Sequence, residues 1–258
     1  MPLLIEPIAA GVGRMTFAFA LLTALEILLP KNAGSLTGRL RGVLFWLLWI
    51  PVTVTVFALF RALWADLGIP PLIEIPLDMP WLGLASGIVA PLIGAFIGDF
   101  FFYWFHRGQH AFFWRFHAVH HSIRDMNAVN SFHHISESLI SVLLFVIPTS
   151  LIVTHTGPVP VMMSAALLIY PILLHSPTQV NFGAWRAIFA DNRFHRIHHS
   201  VEDHHFDKNF GAFTTLWDRV FGTAYFPAKD EWPDVGLEGL EQPRSVKDWL
   251  WLPARVGR

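Results

Sequence analysis

The chain has 258 residues, no cysteine and a formal net charge of -1; 53% of it is hydrophobic and 14% charged. A charged share so far below the roughly 25% of soluble domains points to a membrane protein. No disulfide frame, thiolate metal site or cysteine-held iron–sulfur cluster can form, and no broad basic surface argues for nucleic acid.

Apolar runs fall at 15–30, 42–64, 81–105, 138–154 and 159–175. Residues 1–13 carry no basic residue, and the first run lacks a small-x-small cleavage site, so it is expected to be a retained membrane segment. The second and third runs are long enough to cross about 30 Å of hydrocarbon, which takes about 20 helical residues. The shorter ones are expected to tilt or to pair as buried hairpins. Lys31, Arg39 and Arg41 mark the first loop as cytoplasmic, whereas Asp66, Glu74 and Asp78 mark the second as external. The third run then delivers its C-terminal end to the cytoplasmic face, and the last two form an outward hairpin turning at Thr156-Gly157-Pro158. On this topology the polar part from about 176 is cytoplasmic again.

Fourteen histidines are present, and eight fall in three clusters: His106-x-x-x-His110, His117-x-x-His120-His121 and His195-x-x-His198-His199. Imidazole is the commonest metal-binding side chain. Residues three or four apart share one helix face, so each cluster aims its rings at one point. The predicted topology puts all three on the same membrane face. Eight imidazoles exceed the needs of one ion and suit two metals with open positions. Ligand type alone allows iron, zinc or copper. The HExxH zinc motif is absent, and two redox metals beside a membrane suit oxygen activation on a lipid C–H bond. Asp99, two helical turns before His106, is placed to accept a ligand's second N–H and fix its tautomer, or else to face water at a helix end. Twenty residues, about 30 Å of helix, separate His155 from His175, so His155 is expected not to be a ligand. His204 and His205 read as a solvated loop. Trp249 to Leu252 in the tail either rest at the membrane interface or pack on the domain.

Residues 95–226 carry a resemblance. Asp99 leading to His106-Arg-x-x-His110, Trp-Arg-Phe-His117-x-x-His120-His121-Ser, His195-Arg-x-His198-His199 and the closing Asn209-Phe-Gly211 with Trp217-Asp218-Arg219-Val-Phe-Gly222-Thr223 together resemble the fatty acid hydroxylase/sterol desaturase superfamily of integral membrane di-iron oxygenases. The resemblance implies two iron ions, O2 as co-substrate and electrons from an external ferredoxin-like or cytochrome b5-like donor. It also implies ligands beyond the boxes. His134 in His134-Ile-Ser-Glu137 is the candidate, with Glu137 as its hydrogen-bonding partner and His133 as the competing assignment. The family's proline is missing from that stretch. His175, at the end of the last apolar run, is the other added ligand.

The expected molecule is an all-α integral membrane protein. About four to five membrane helices carry a cytosolic histidine-rich helical cap that holds a di-metal centre. Residues 1–94 form N-terminal transmembrane helices, 95–226 the catalytic region and 227–258 a polar, aromatic tail of one membrane-embedded domain. Its membrane is the inner membrane of a bacterium or the endoplasmic reticulum of a eukaryote. The expected activity is O2-dependent hydroxylation or desaturation of a membrane lipid such as a sterol, fatty acyl or ether lipid. The alternatives are a zinc-dependent membrane hydrolase or lyase, and a non-enzymatic membrane metal-binding protein.

Overall fold

A computed structural model describes residues 2–77, 79–155 and 159–257. Asp78 of the acidic loop and the expected turn Thr156-Gly157-Pro158 lie outside the described residues. The chain is mostly helical. Helices α1 (Pro2–Leu28) and α2 (Leu36–Leu67) pack together, and α3 (Ser86–Phe112) follows a short 3-10 turn at Pro80–Ala85. Among the described residues, these are the helices long and apolar enough to cross a membrane. Leu21, Leu28, Leu40, Leu44, Leu47, Leu59 and Leu63 point outward from α1 and α2, as side chains solvated by lipid do. The amphipathic stripe of a soluble helix is missing, in keeping with helices that meet apolar surroundings on most sides.

The fourth and fifth apolar runs form shorter helices, α5 (Glu137–Ser150) and α6 (Val161–Leu173). Between them the chain leaves the helix. Ile152–His155 forms strand β2, paired in parallel with strand β1 (Ile73–Pro76), so that Ile73 faces Ile152 and Pro76 faces His155. The expected all-helical hairpin thus contains a two-stranded ribbon. Ile152, Val153 and Thr154 are β-branched, and their restricted side chains favour extended backbone. The ribbon adjoins the N-terminal end of α3 along the chain, while the first histidine cluster is at its C-terminal end. At 1.5 Å per residue those ends are about 40 Å apart.

Two short helices carry the remaining clusters: α4 (Trp114–His121) and α7 (Asn192–His198). The Asp191 carboxylate caps α7, accepting from Phe194 N at 2.9 Å, and is itself held by Arg186 at 2.9 Å. Behind α4, residues 123–132 pack against α1 and α2 in the main core, with Phe45, Phe132 and Trp249 at its centre. Gly42 makes this approach possible: a Cβ there would lie 2.2 Å from the Val129 carbonyl oxygen. One helical turn on, Trp46 Nε1 donates to that same carbonyl at 3.0 Å. Glu26, isolated in the sequence, is buried in α1, ion-paired with Arg39 and bonded to Ala128 N. The tail also belongs to the core. Helix α9 (Val246–Trp251), which follows α8 (Leu216–Val220), buries Trp249 against Phe45 while leaving Trp251 exposed.

Candidate metal centre

Helix α3 continues past its membrane stretch to Phe112, so His106 and His110 stand one turn apart on a single face. The α4 and α7 histidines meet them. Ring nitrogens of His106, His110, His117, His121 and His198 lie within 4.8 Å of one another, and so do those of His120, His175, His195 and His199. The three boxes therefore interleave into a five-histidine group and a four-histidine group. His175, just beyond α6, joins the second. His110 keeps slight access to solvent; the other box histidines are buried.

The hydrogen bonds at the far ring nitrogens decide what the near ones can do. His120 Nδ1 donates to the Phe132 carbonyl and His175 Nδ1 to the Pro171 carbonyl, each at 3.2 Å. A carbonyl only accepts, and a neutral imidazole has one N–H, so each Nε2 presents a bare lone pair. These two Nε2 atoms face each other at 3.1 Å. His106, tied through Nδ1 to the Phe210 carbonyl at 2.8 Å, presents its bare Nε2 to His117 Nε2 at 3.1 Å. His110 and His121 meet Nε2 to Nε2 at 3.2 Å, His175 and His195 at 3.0 Å, and His195 and His199 at 3.2 Å.

Protonation does not relieve these contacts. Burial first, then repulsion by neighbouring imidazoles, holds His117, His120, His121, His195, His198 and His199 well below the usual histidine range. Burial takes His175 to about 4. Between His120 and His175, where both lone pairs are bare, the contact is repulsive unless a cation lies between them. Two nitrogens each about 2.1 Å from one metal and at right angles stand about 3.0 Å apart, close to the separations seen. The donor set fits a metal in each group.

Residues 91–223, just over half the chain, match the family described as fatty acid hydroxylase. The chain belongs to the fatty acid hydroxylase family. Among curated relatives, it is 32% identical over 171 residues to ornithine lipid hydroxylase OlsE of Rhizobium tropici, covering 60% of this chain and 50% of the relative. It is 30% identical over 172 residues to alkylglycerol monooxygenase of Homo sapiens, covering 64% and 35%. A very-long-chain aldehyde decarbonylase of Oryza sativa subsp. indica is 24% identical over 187 residues, covering 67% and 28%. The chain thus spans half or less of the length of these relatives. No solved structure matches it.

Several expectations change once this family member's side chains are placed. His134 is not brought to the cage. Its Nδ1 bonds Ser136 Oγ at 2.7 Å and its Nε2 meets the Leu250 carbonyl at 3.4 Å. His133 turns inward instead. Its ring stacks on His120 with centroids 4.0 Å apart, and it groups with His117 and Glu137. Burial takes it to about 3. Trp249 Nε1, donating to the His133 carbonyl at 2.9 Å, helps fix this choice. Glu137 lies 3.8 Å from His133 rather than beside His134, and accepts from Gln109. Its other oxygen is buried with no hydrogen-bond partner among the described residues.

Asp99 touches no ligand. It accepts the backbone N–H groups of Ala212, Phe213 and Thr214, and the Thr214 hydroxyl. His204 is exposed as expected, but His205 is fully buried, with Nδ1 on Ser200 at 2.9 Å and Nε2 on Glu231 at 3.0 Å. His155 lies in β2, beyond the far end of α6 from His175.

A cavity of 250 Å³ opens on one side of the cage. Trp46, Trp49, Phe102, Phe105, Ile172 and Leu174 supply its apolar wall; His106, His117, His120, His175 and His195 line its other side, with Gln109, His133 and Glu137. His110, His121, His198 and His199 do not reach it and close the opposite side.

Proposed function

We propose that this protein is a membrane-bound di-iron lipid oxygenase that uses O2 to hydroxylate a lipid. The observation that carries the reading is the pair of imidazole groups whose ring nitrogens converge, with bare Nε2 atoms at His106, His120 and His175, open on one side to an apolar cavity. Iron is favoured over zinc because the first group offers five nitrogens, and structural zinc is almost always four-coordinate. Iron would be held by up to five nitrogens in the first group and four in the second. The relatives named hydroxylase and monooxygenase support oxygen insertion, while desaturation at the same centre is the alternative outcome.

Iron bound there supplies the O2 chemistry; the chain supplies placement. His106, His110, His117, His121 and His198 would hold one ion, and His120, His175, His195 and His199 the other, with His133 beside the second. The neutral imidazoles are ready to bind without releasing protons. The cavity volume equals about eight water-sized groups at ~30 Å³ each, room for a segment of a lipid chain and not a whole lipid. The rest of the substrate then stays in the bilayer. The aromatic wall excludes water from the reacting segment. The loop charges support a cytoplasmic position for this cage, where an external ferredoxin-like or cytochrome b5-like protein would supply electrons.

The test is to express the full chain in a lipid-rich host, measure iron per purified chain and compare lipid masses with those of a His120→Ala, His198→Ala variant. A gain of one oxygen that the variant lacks supports hydroxylation; a loss of two hydrogens supports desaturation. Identical lipid profiles, or activity that survives without O2, would refute the oxygenase reading and favour a zinc hydrolase.

A further inference from the structure

One short piece of backbone orients most of the five-histidine group. His110 Nδ1 donates to Asp207 Oδ1 at 3.2 Å, His198 Nδ1 to the Lys208 carbonyl at 2.7 Å and His106 Nδ1 to the Phe210 carbonyl at 2.8 Å. Three imidazoles from α3 and α7 thus take their tautomer and ring direction from four consecutive residues. The four-histidine group has no counterpart. There His120 and His175 use carbonyls from separate parts of the chain, and the Nδ1 atoms of His195 and His199 have no hydrogen-bond partner among the described residues.

The segment has a shape that a side chain seldom favours. Asp207 and Asn209 have φ of 56° and 60°, and among the described residues no other non-glycine has positive φ. Left-handed backbone is unfavourable for residues with a side chain, among which Asp and Asn visit it most readily. Here it aims the Asp207 carboxylate and two carbonyls at three rings. Asn209 is fully buried and locks the shape: Nδ2 donates to the Phe194 and Tyr225 carbonyls, both at 2.8 Å, and Oδ1 accepts from Tyr225 N at 2.7 Å. Next along the chain, the buried Asp218 carboxylate accepts from Phe210 N and Gly211 N at 2.8 Å each. A Cβ on Gly211 would lie 2.4 Å from the Thr214 carbonyl oxygen, so this clamp closes only around glycine.

We propose that Asp207–Phe210 is an orienting rail for one metal position and not the other, with Asp207 and Asn209 as its positioning residues. The proposal rests on the two-iron reading above. It is tested on the purified full chain loaded with ferrous iron, by iron per chain, Mössbauer spectrum and the rate of iron release to a chelator. Wild type is expected to hold two irons. Asn209→Ala is expected to hold one, His175→Ala to lose the other, and the double variant to hold none. Fewer than two irons in wild type would count against the two-iron reading and leave the rail unblamed.

With two irons in wild type, the rail is overturned if Asn209→Ala keeps both with unchanged release, or if it loses both while His175→Ala loses one. The Asp207 variants decide the matter even if Asn209→Ala does not fold. Asp207→Asn keeps an acceptor oxygen and tolerance of positive φ, and is expected to release iron as wild type does. Asp207→Ala is expected to release one of its two irons about 10–100-fold faster, with one Mössbauer component altered, as loss of a ligand's hydrogen-bond partner does elsewhere. Equal release in all three proteins overturns the proposal.

Discussion

The two halves of the cage are built differently. The five-histidine group is closed, backed by the continuous segment Asp207–Phe210, and reaches the cavity only through His106 and His117. The four-histidine group shows the cavity His120, His175 and His195, and draws its supports from the loop before α5 and the end of α6. The second group offers one histidine fewer and turns more of its rings toward the cavity. On the proposed oxygenase reading the first half holds and the second reacts, although the two groups touch, the His121 ring stacking on His199 with centroids 4.4 Å apart.

That division can be broken most forcefully at a ligand. His120→Ala removes a nitrogen facing the cavity and is expected to lower lipid oxidation by more than about 100-fold, beyond the 10–100-fold typical of supporting residues. Iron per chain should fall as well. Retained turnover, measured as oxidised lipid per chain, would remove the four-histidine group from the chemistry. The next effect separates neighbours. His133→Ala is expected to lower turnover by about 10–100-fold, whereas His134→Ala should leave it within about threefold, because His134 bonds Ser136 and faces the tail. The reverse order would return the ligand role to His134.

The boxes were legible because their information is local: three- and four-residue spacings on α3, α4 and α7 put the rings on common faces. His175 was expected in the same cage from the family resemblance and from its place at the end of the last apolar run, and it groups with His120, His195 and His199. What could not be read depends on contacts distant in sequence. The choice between His133 and His134 depends on Trp249, 116 residues away. Asp99 finds its acceptor role 113 to 115 residues downstream, in a turn that composition does not reveal. The run 138–154 has the hydropathy of a membrane span, but pairing with Ile73–Pro76 draws its last residues into a strand. Gln109 gave no signal beyond its place between two box histidines. Asn209 and Gly211 did stand in the closing motif, without a stated task.

A smaller effect tests the open side of the contrast. Ala212 lines the cavity beside His175 and His195. Ala212→Leu narrows it without removing a ligand. Lipid turnover is expected to fall about 10–200-fold for the long-chain substrate, the range by which added methylene groups alter pocket discrimination, and toward the lower end of that range because the cavity is open. Both irons should remain. If turnover is unchanged at full iron content, the substrate segment does not occupy this cavity, and the reacting side must be sought elsewhere on the cage.

The smallest effect on activity belongs to a histidine that only resembles its neighbours. His205 is as buried as any ligand, yet Ser200 and Glu231 occupy both of its ring nitrogens. Replacing it with alanine leaves the Ser200 hydroxyl and one Glu231 oxygen short of a partner, at a cost of about 1–3 kcal/mol if neither is rehydrated. Tyr225 OH and Ala228 N still bond Glu231, at 2.9 and 2.7 Å, so the cost should lie at the lower end. His205→Ala is therefore expected to lower the thermal midpoint of the purified protein while preserving two irons per chain and turnover within about threefold. Loss of one iron would show that the division runs through Ser200 into His199, and that the four-histidine group has a support of its own after all.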